Sequence, residues 1–247
     1  NAEGMWHLDA DQTNPAILPA AGHVGHGPAG IAYYPGTGLP EKYRGHFFMA
    51  DFPGGVRAFA VKRKGASYTV ENPNEVLLDN TPAETSGKLL WGLYPSDVQF
   101  GVDGGVYVLD WVFGWEKTGK GRIYRVHDPA VSSSSLVQET KRLLGEGMES
   151  RKPEALATLL EHPDQRVRMA AQFALAKQGA VDVLASIAMG RGSLHARLHA
   201  IWGLGMTAQR QAGVIDTIAS LLGDELAEVR AQAAKVLGDN PHVAWVP

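Results

Sequence analysis

Phe47-Phe48-Met49-Ala50-Asp51-Phe52 and, 59 residues further along, Tyr107-Val108-Leu109-Asp110-Trp111 are two copies of one pattern, an apolar run ending in aspartate plus an aromatic. A short apolar run closed by turn residues reads as a buried β-strand. Each copy is followed by glycine and then a second strand, Val56-Arg57-Ala58-Phe59-Ala60-Val61 in one and Arg122-Ile123-Tyr124-Arg125-Val126 in the other. Upstream, Gly30-Ile31-Ala32-Tyr33-Tyr34 and Asp97-Val98-Gln99-Phe100-Gly101 supply a preceding strand for each. Asp103-Gly104-Gly105 is a hairpin signal between the first two strands of the later copy.

A repeated antiparallel unit of three or four strands reads as a β-propeller blade, with residues 36–44 and 73–88 as inserted loops. The expectation is a partial propeller of about two blades over residues 1–131. Two blades cannot close a ring and leave strand edges open. The remainder is therefore expected upstream of Asn1 or from another chain, and the chain reads as a fragment cut at both ends.

Composition changes at Ser132-Ser133-Ser134-Ser135. Before it lie 17 of the 20 aromatic residues and 19 of the 29 glycines, while 19 alanines follow it. Alanine- and leucine-rich sequence favours closely packed helices. We expect a serine-bearing linker and connecting helix over 132–152, then HEAT-like helical repeats over 153–247. The fold class is thus mixed, with a partial propeller followed by an α-helical solenoid. Asp164-Gln165-Arg166-Val167-Arg168, His195-Ala196-Arg197 and Glu228-Val229-Arg230 each lead into an alanine- and leucine-bearing helix, with the arginines 29 and 33 residues apart. Asp164 and Asp224 stand where N-caps are wanted, and Gly179 and Gly238 where helices should stop. Arg168, Arg197 and Arg230 are expected to tie repeats together by pairing with aspartates such as Asp164 and Asp224.

Composition also excludes function classes. Lys+Arg 23 against Asp+Glu 26 gives a net charge of −3, without the basic excess that nucleic-acid binding demands. No apolar run is long enough to span a membrane. There is no cysteine, which removes disulfides, zinc-thiolate and iron–sulfur sites, thiol nucleophiles and covalent haem attachment within these residues.

Propeller ligands sit at one mouth of the central channel. That geometry nominates His26, Asp51, Phe52, Arg57, Ser96, Asp97, Asp110 and Trp111 as a substrate or cofactor face. Paired carboxylates there could bind calcium or act as a general base on a sugar hydroxyl. Their repetition at equal positions favours an architectural use of Asp51 and Asp110 instead. Trp111 and Trp115 could stack on a sugar ring or pack between blades. His23 and His26 lack a third metal ligand at a workable spacing, and His195 and His199 share a helix face without one. No metal site and no catalytic triad can be assembled.

The runs His26-Gly27-Pro28-Ala29-Gly30, Tyr33-Tyr34-Pro35-Gly36-Thr37-Gly38-Leu39-Pro40 and Pro95-Ser96-Asp97-Val98-Gln99-Phe100-Gly101-Val102-Asp103-Gly104 are distinctive, as is Gly119-Lys120-Gly121-Arg122-Ile123-Tyr124-Arg125-Val126. Together they resemble the last blades of planctomycete-type membrane-bound dehydrogenases, which are related to soluble glucose/sorbosone dehydrogenases. Members run propeller, HEAT-like repeats, then a cytochrome c domain. The resemblance implies a periplasmic or extracellular protein that oxidises a sugar-like alcohol or aldehyde with pyrroloquinoline quinone and calcium. It places the haem in a downstream segment. In that family basic side chains of the last blades hold the quinone carboxylates. The matching turns here, Phe52-Pro53-Gly54-Gly55 and Tyr94-Pro95-Ser96, carry none, and Arg57 lies just beyond the first. The alternative reading is a non-catalytic module that binds a glycan or protein, with a protein partner on the helical repeats; the plainest is scaffold alone.

Overall fold

The computed structural model describes residues 21–22, 24–25, 27–65, 67–71, 87–113, 119–208, 210–211 and 213–240. Among them are eight strands: β1 Pro28–Tyr33, β2 His46–Asp51, β3 Gly54–Lys64, β4 Ser67–Val70, β5 Lys88–Leu93, β6 Pro95–Phe100, β7 Val106–Asp110 and β8 Arg122–Val126. The strands expected from the two copies form as β1, β2, β3 and β6, β7, β8.

Their assembly overturns the expectation of two like propeller blades. The first sheet has five strands and the second has three, in the order β6-β7-β8. The cause is the 11-residue length of β3. One edge pairs antiparallel with β2, from His46↔Ala60 to Asp51↔Gly55. Further pairing divides β3 in two: Val61–Lys64 takes β4, whereas Gly54–Arg57 takes β5. The strand β5 begins at Lys88, the last residue of the stretch expected to be a loop. Phe48, Val56, Val98, Val106 and Val108 are buried, and Met49, Phe59 and Val70 cluster together.

The helices among the described residues are α1 Pro129–Ser132, α2 Ser135–Glu146, α3 Pro153–Leu159, α4 Gln165–Gln178, α5 Val181–Met189, α6 Leu194–Ala208, α7 Val214–Ser220 and α8 Ala227–Asp239. Their ends follow local chemistry. Asp128 caps α1, Ser134 caps α2 and Asp164 caps α4, each accepting backbone N–H groups from the first turn. Gly179, at φ 66°, closes α4 in the left-handed conformation that glycine adopts without steric cost. The serine run is therefore the junction between two helices, ending α1 and starting α2.

A free-standing three-repeat solenoid is also corrected. Helix α6 is a hub that packs against α4, α5, α7 and α8, and glycine makes its close approaches possible. A Cβ on Gly203 would stand 2.9 Å from Leu184, and one on Gly205 would stand 2.5 Å from Val236. The helices, moreover, are not a compact unit by themselves. The chain divides into a strand-bearing unit and a helix-bearing unit, and the second takes in Pro35–Pro40 and Phe100–Gly105 together with the residues from His127 onward. Within that unit Thr37 Oγ1 donates to buried Asp164, Gln165 N donates to Pro35 O at 2.7 Å, and Arg166 Nη1 donates to Phe100 O at 3.0 Å. Glycine is required where these segments meet, since a Cβ on Gly38 would lie 2.4 Å from Gly104 Cα.

Candidate functional site

The two aspartates that end β2 and β7 make the same backbone clamp. Asp51 Oδ1 accepts the N–H of Gly27 at 2.8 Å, and Phe52 N donates back to Gly27 O at 2.7 Å. Asp110 Oδ1 accepts the N–H of Tyr94 at 3.0 Å, and Trp111 N donates back to Tyr94 O at 2.8 Å. In each copy the clamped residue immediately precedes the proline that opens the first strand, Pro28 or Pro95. An ionised carboxylate accepting backbone N–H groups is a strong hydrogen-bond acceptor, so this geometry fixes where each first strand begins.

The copies diverge at the second carboxylate oxygen. Asp51 Oδ2 accepts from Arg57 Nε at 2.8 Å, and both side chains are buried, Arg57 at 0% exposure. The ring of Trp91 on β5 covers that guanidinium, 4.7 Å from Arg57 Cζ. Burial of this ion pair is tolerable only because charge, hydrogen bond and ring are supplied together. In the second sheet the register Met49↔Arg57 is matched by Val108↔Tyr124. Tyrosine thus stands where Arg57 stands in the first, and its hydroxyl accepts from Arg122 Nη1 at 3.2 Å. Asp110 is 5% exposed, and both of its hydrogen bonds, from Tyr94 N and Val112 N, fall on Oδ1.

Beside Asp110 lies an open cleft of about 440 Å³, lined among others by Ser96, Leu109, Trp111, Lys120, Arg122 and Ile123. Its lip carries backbone strain. Val112 has φ 84°, a conformation that a β-branched residue adopts only when its surroundings impose it, and the Asp110 bond to Val112 N at 3.0 Å helps to do so. Large apolar side chains are exposed in the cleft, with Ile123 at 69% beside partly exposed Leu109 and Trp111; Phe113, also exposed, meets the Tyr94 ring at 6.0 Å.

The candidate mouth residues therefore separate into groups. Ser96, Asp110 and Trp111 come together at the cleft. Asp51 and Arg57 are consumed by each other. Phe52 meets Tyr94 edge to face at 5.5 Å. Asp97 accepts the N–H of Val98 at 2.8 Å and lies against Gly30, where a Cβ would come within 2.3 Å of its Oδ1. His26, like His23 and Trp115, lies outside the described residues. Sequence reasoning missed Trp91 and Arg122. Lining up Asp51 with Asp110 and counting on through each hairpin would have exposed the Arg57-to-Tyr124 exchange.

At the first matching turn a quinone carboxylate finds no free partner: Arg57, just beyond it, is buried against Asp51 and Trp91. No step is derived through that group. Among the described residues no cluster of three or more histidine, aspartate or glutamate side chains could hold a metal ion.

In the helical unit Arg197 makes the expected arginine–aspartate tie. Arg197 pairs with Asp224, with Nη1 to Oδ1 at 3.3 Å, and its Nε donates to Ala188 O at 2.8 Å. The Arg197 guanidinium holds the Asp224 carboxyl below the usual aspartate range. Arg168 and Arg230 instead donate to turn carbonyls, Arg168 to His162 O and Pro163 O, Arg230 to Asp224 O and Glu225 O. Asp164 bonds Arg166 and Thr37. On α6, His199 is buried and its Nδ1 donates to Gln172 Oε1 at 2.8 Å. Burial, reinforced by the positive charges of Arg168 and His195, lowers its pKa to about 4.

Among the described residues no helix is long and apolar enough to cross a membrane. No protein-family model, no curated protein and no solved structure matches this chain.

Proposed function

We propose that the chain is a non-catalytic binding module and that its β6–β7–β8 sheet recognises a protein ligand. The observation that carries this reading is the exposure of Ile123 beside Leu109 and Trp111 in a cleft that Lys120 and Arg122 also line. Strand side chains facing water are ordinarily polar, and a grouped set of large apolar residues rimmed by charge marks an interaction surface. A sugar would engage Trp111 by stacking but has little use for Ile123 and Leu109. The oxidoreductase expectation draws no such support, because Arg57 is committed to Asp51.

The test presents the 247-residue chain to a displayed-peptide library and to a glycan array side by side. Peptide binding that falls at least tenfold in both Trp111→Ala and Ile123→Ser is the expected result. Binding to glycans with no peptide selected would overturn the reading.

A further inference from the structure

We infer that the outer edge of β8 takes an extended peptide by strand addition, with an aromatic residue opposite Arg122 and acidic residues flanking it. This rests on the protein-recognition reading above and names its mode and ligand.

The first sheet supplies the precedent. Gly54–Arg57 of β3 is covered by β5, with Trp91 opposite Gly55 and its ring on Arg57. Ala58 N donates to Gly87 O at 2.6 Å, so alternate residues of β3, Val56 among them, direct their backbone groups to that edge. Counting from the aspartate clamps, Gly121, Arg122, Ile123 and Tyr124 hold the places of Gly54, Gly55, Val56 and Arg57. Among the described residues β8 pairs with β7 alone. The contrast is measurable. A Cβ on Gly54 would lie 3.1 Å from the Trp91 ring and one on Gly55 would lie 2.0 Å from Leu90 O, whereas at Gly121 the nearest atom among the described residues is Asp110 O at 3.9 Å.

Edge strands with open backbone groups are templates for another strand, and natural proteins use them for peptide recognition. Charge selects the ligand. Exposed Arg122 opens this strand, so an acidic segment is favoured, and an aromatic opposite it gains a guanidinium contact. Arginine in place of Gly55 also forbids the tight, bulged approach that β5 makes. The incoming strand must therefore pair in a regular ladder.

The experiment titrates a labelled peptide, Glu-Leu-Leu-Trp-Gly-Leu-Glu, into the 247-residue chain by fluorescence anisotropy. Two further peptides carry backbone N-methyl groups on alternate residues, one set on each edge. Hydrogen exchange follows the Ile123 amide. Expected are saturable binding, at least tenfold loss for one N-methyl pattern with little change for the other, protection at Ile123, and at least tenfold loss in Arg122→Glu. Binding indifferent to both methyl patterns, without protection at Ile123, would overturn strand addition and leave protein recognition standing. Failure of this peptide while library peptides bind would overturn the ligand assignment alone, and failure of every peptide would remove both readings. Sedimentation of the free chain provides a last control: a concentration-dependent dimer that protects Ile123 would make the occupant a second copy and overturn the assignment.

Discussion

Asp51 and Asp110 perform one backbone task at two places 59 residues apart, yet among the described residues it is Asp51 whose second oxygen bonds an arginine, Arg57. Single removal of a buried partner leaves a charge uncompensated. Arg57→Met should therefore cost about 3–5 kcal/mol, measured by urea unfolding. Pairing it with Asp51→Asn should recover part of that loss in a double-mutant cycle. Additive single and double effects would show that the two side chains are not coupled.

Val112, at φ 84°, carries strain that glycine would not. Val112→Gly is expected to stabilise the chain by about 1 kcal/mol despite the greater freedom of glycine in the unfolded state. A lower denaturation midpoint would mean that its isopropyl group contributes more by packing than the backbone loses by strain.

Much of this arrangement is legible from sequence, and the limits have physical causes. Strand positions follow from apolar runs ending in Asp51-Phe52 and Asp110-Trp111, and helix ends follow from Asp164 and Gly179, because these signals are local. Sheet assembly is not local. Whether β3 shares an edge with both β4 and β5 depends on its length and on a pairing from Gly54 to Leu93. The cleft was half legible: Ser96, Asp110 and Trp111 are named by their places in the repeat. Arg57 is misplaced, because its side chain points to Asp51 inside the sheet. Asp224 is legible in both of its expected roles, helix cap and arginine tie, though not in which arginine it takes. It accepts the N–H of Leu226 at 2.9 Å and also holds Arg197, 27 residues away.

Acid should loosen the helical unit in a defined window. His199 has a folded pKa of about 4 against an ordinary 6.5, so the unfolded chain binds its proton first. The stability due to its neutrality is complete above pH 6.5 and is lost as pH falls through 4, on the order of 3 kcal/mol in all. His162, whose pKa burial also lowers, acts in the same direction. Urea midpoints of the wild type and His199→Gln across pH 4–7 check this. The variant should be flatter, and parallel curves would exclude His199 as a source.

Gly205 faces Val236 so closely that a larger residue must displace α8 from α6. Gly205→Leu should destabilise by about 1–3 kcal/mol, through overpacking, with the helical circular dichroism signal melting at lower temperature. An unchanged melt would mean that the two helices can separate at no cost.

The hydrogen bond from Thr37 to Asp164 joins residues 127 positions apart within a single compact unit. During synthesis the segment 35–40 leaves the ribosome long before α4 exists to receive it, and Phe100–Gly105 waits in the same way. The helical unit therefore cannot finish folding in the order in which it is made. It closes late, by capturing two segments translated well ahead of its helices, and long-range closure of this kind slows folding. A chain that begins after residue 105 would leave Asp164 without Thr37, Gln165 N without Pro35 O and Arg166 without Phe100 O. Dividing the molecule at the composition change would therefore cut through a cooperative unit, whatever the residue statistics on either side suggest.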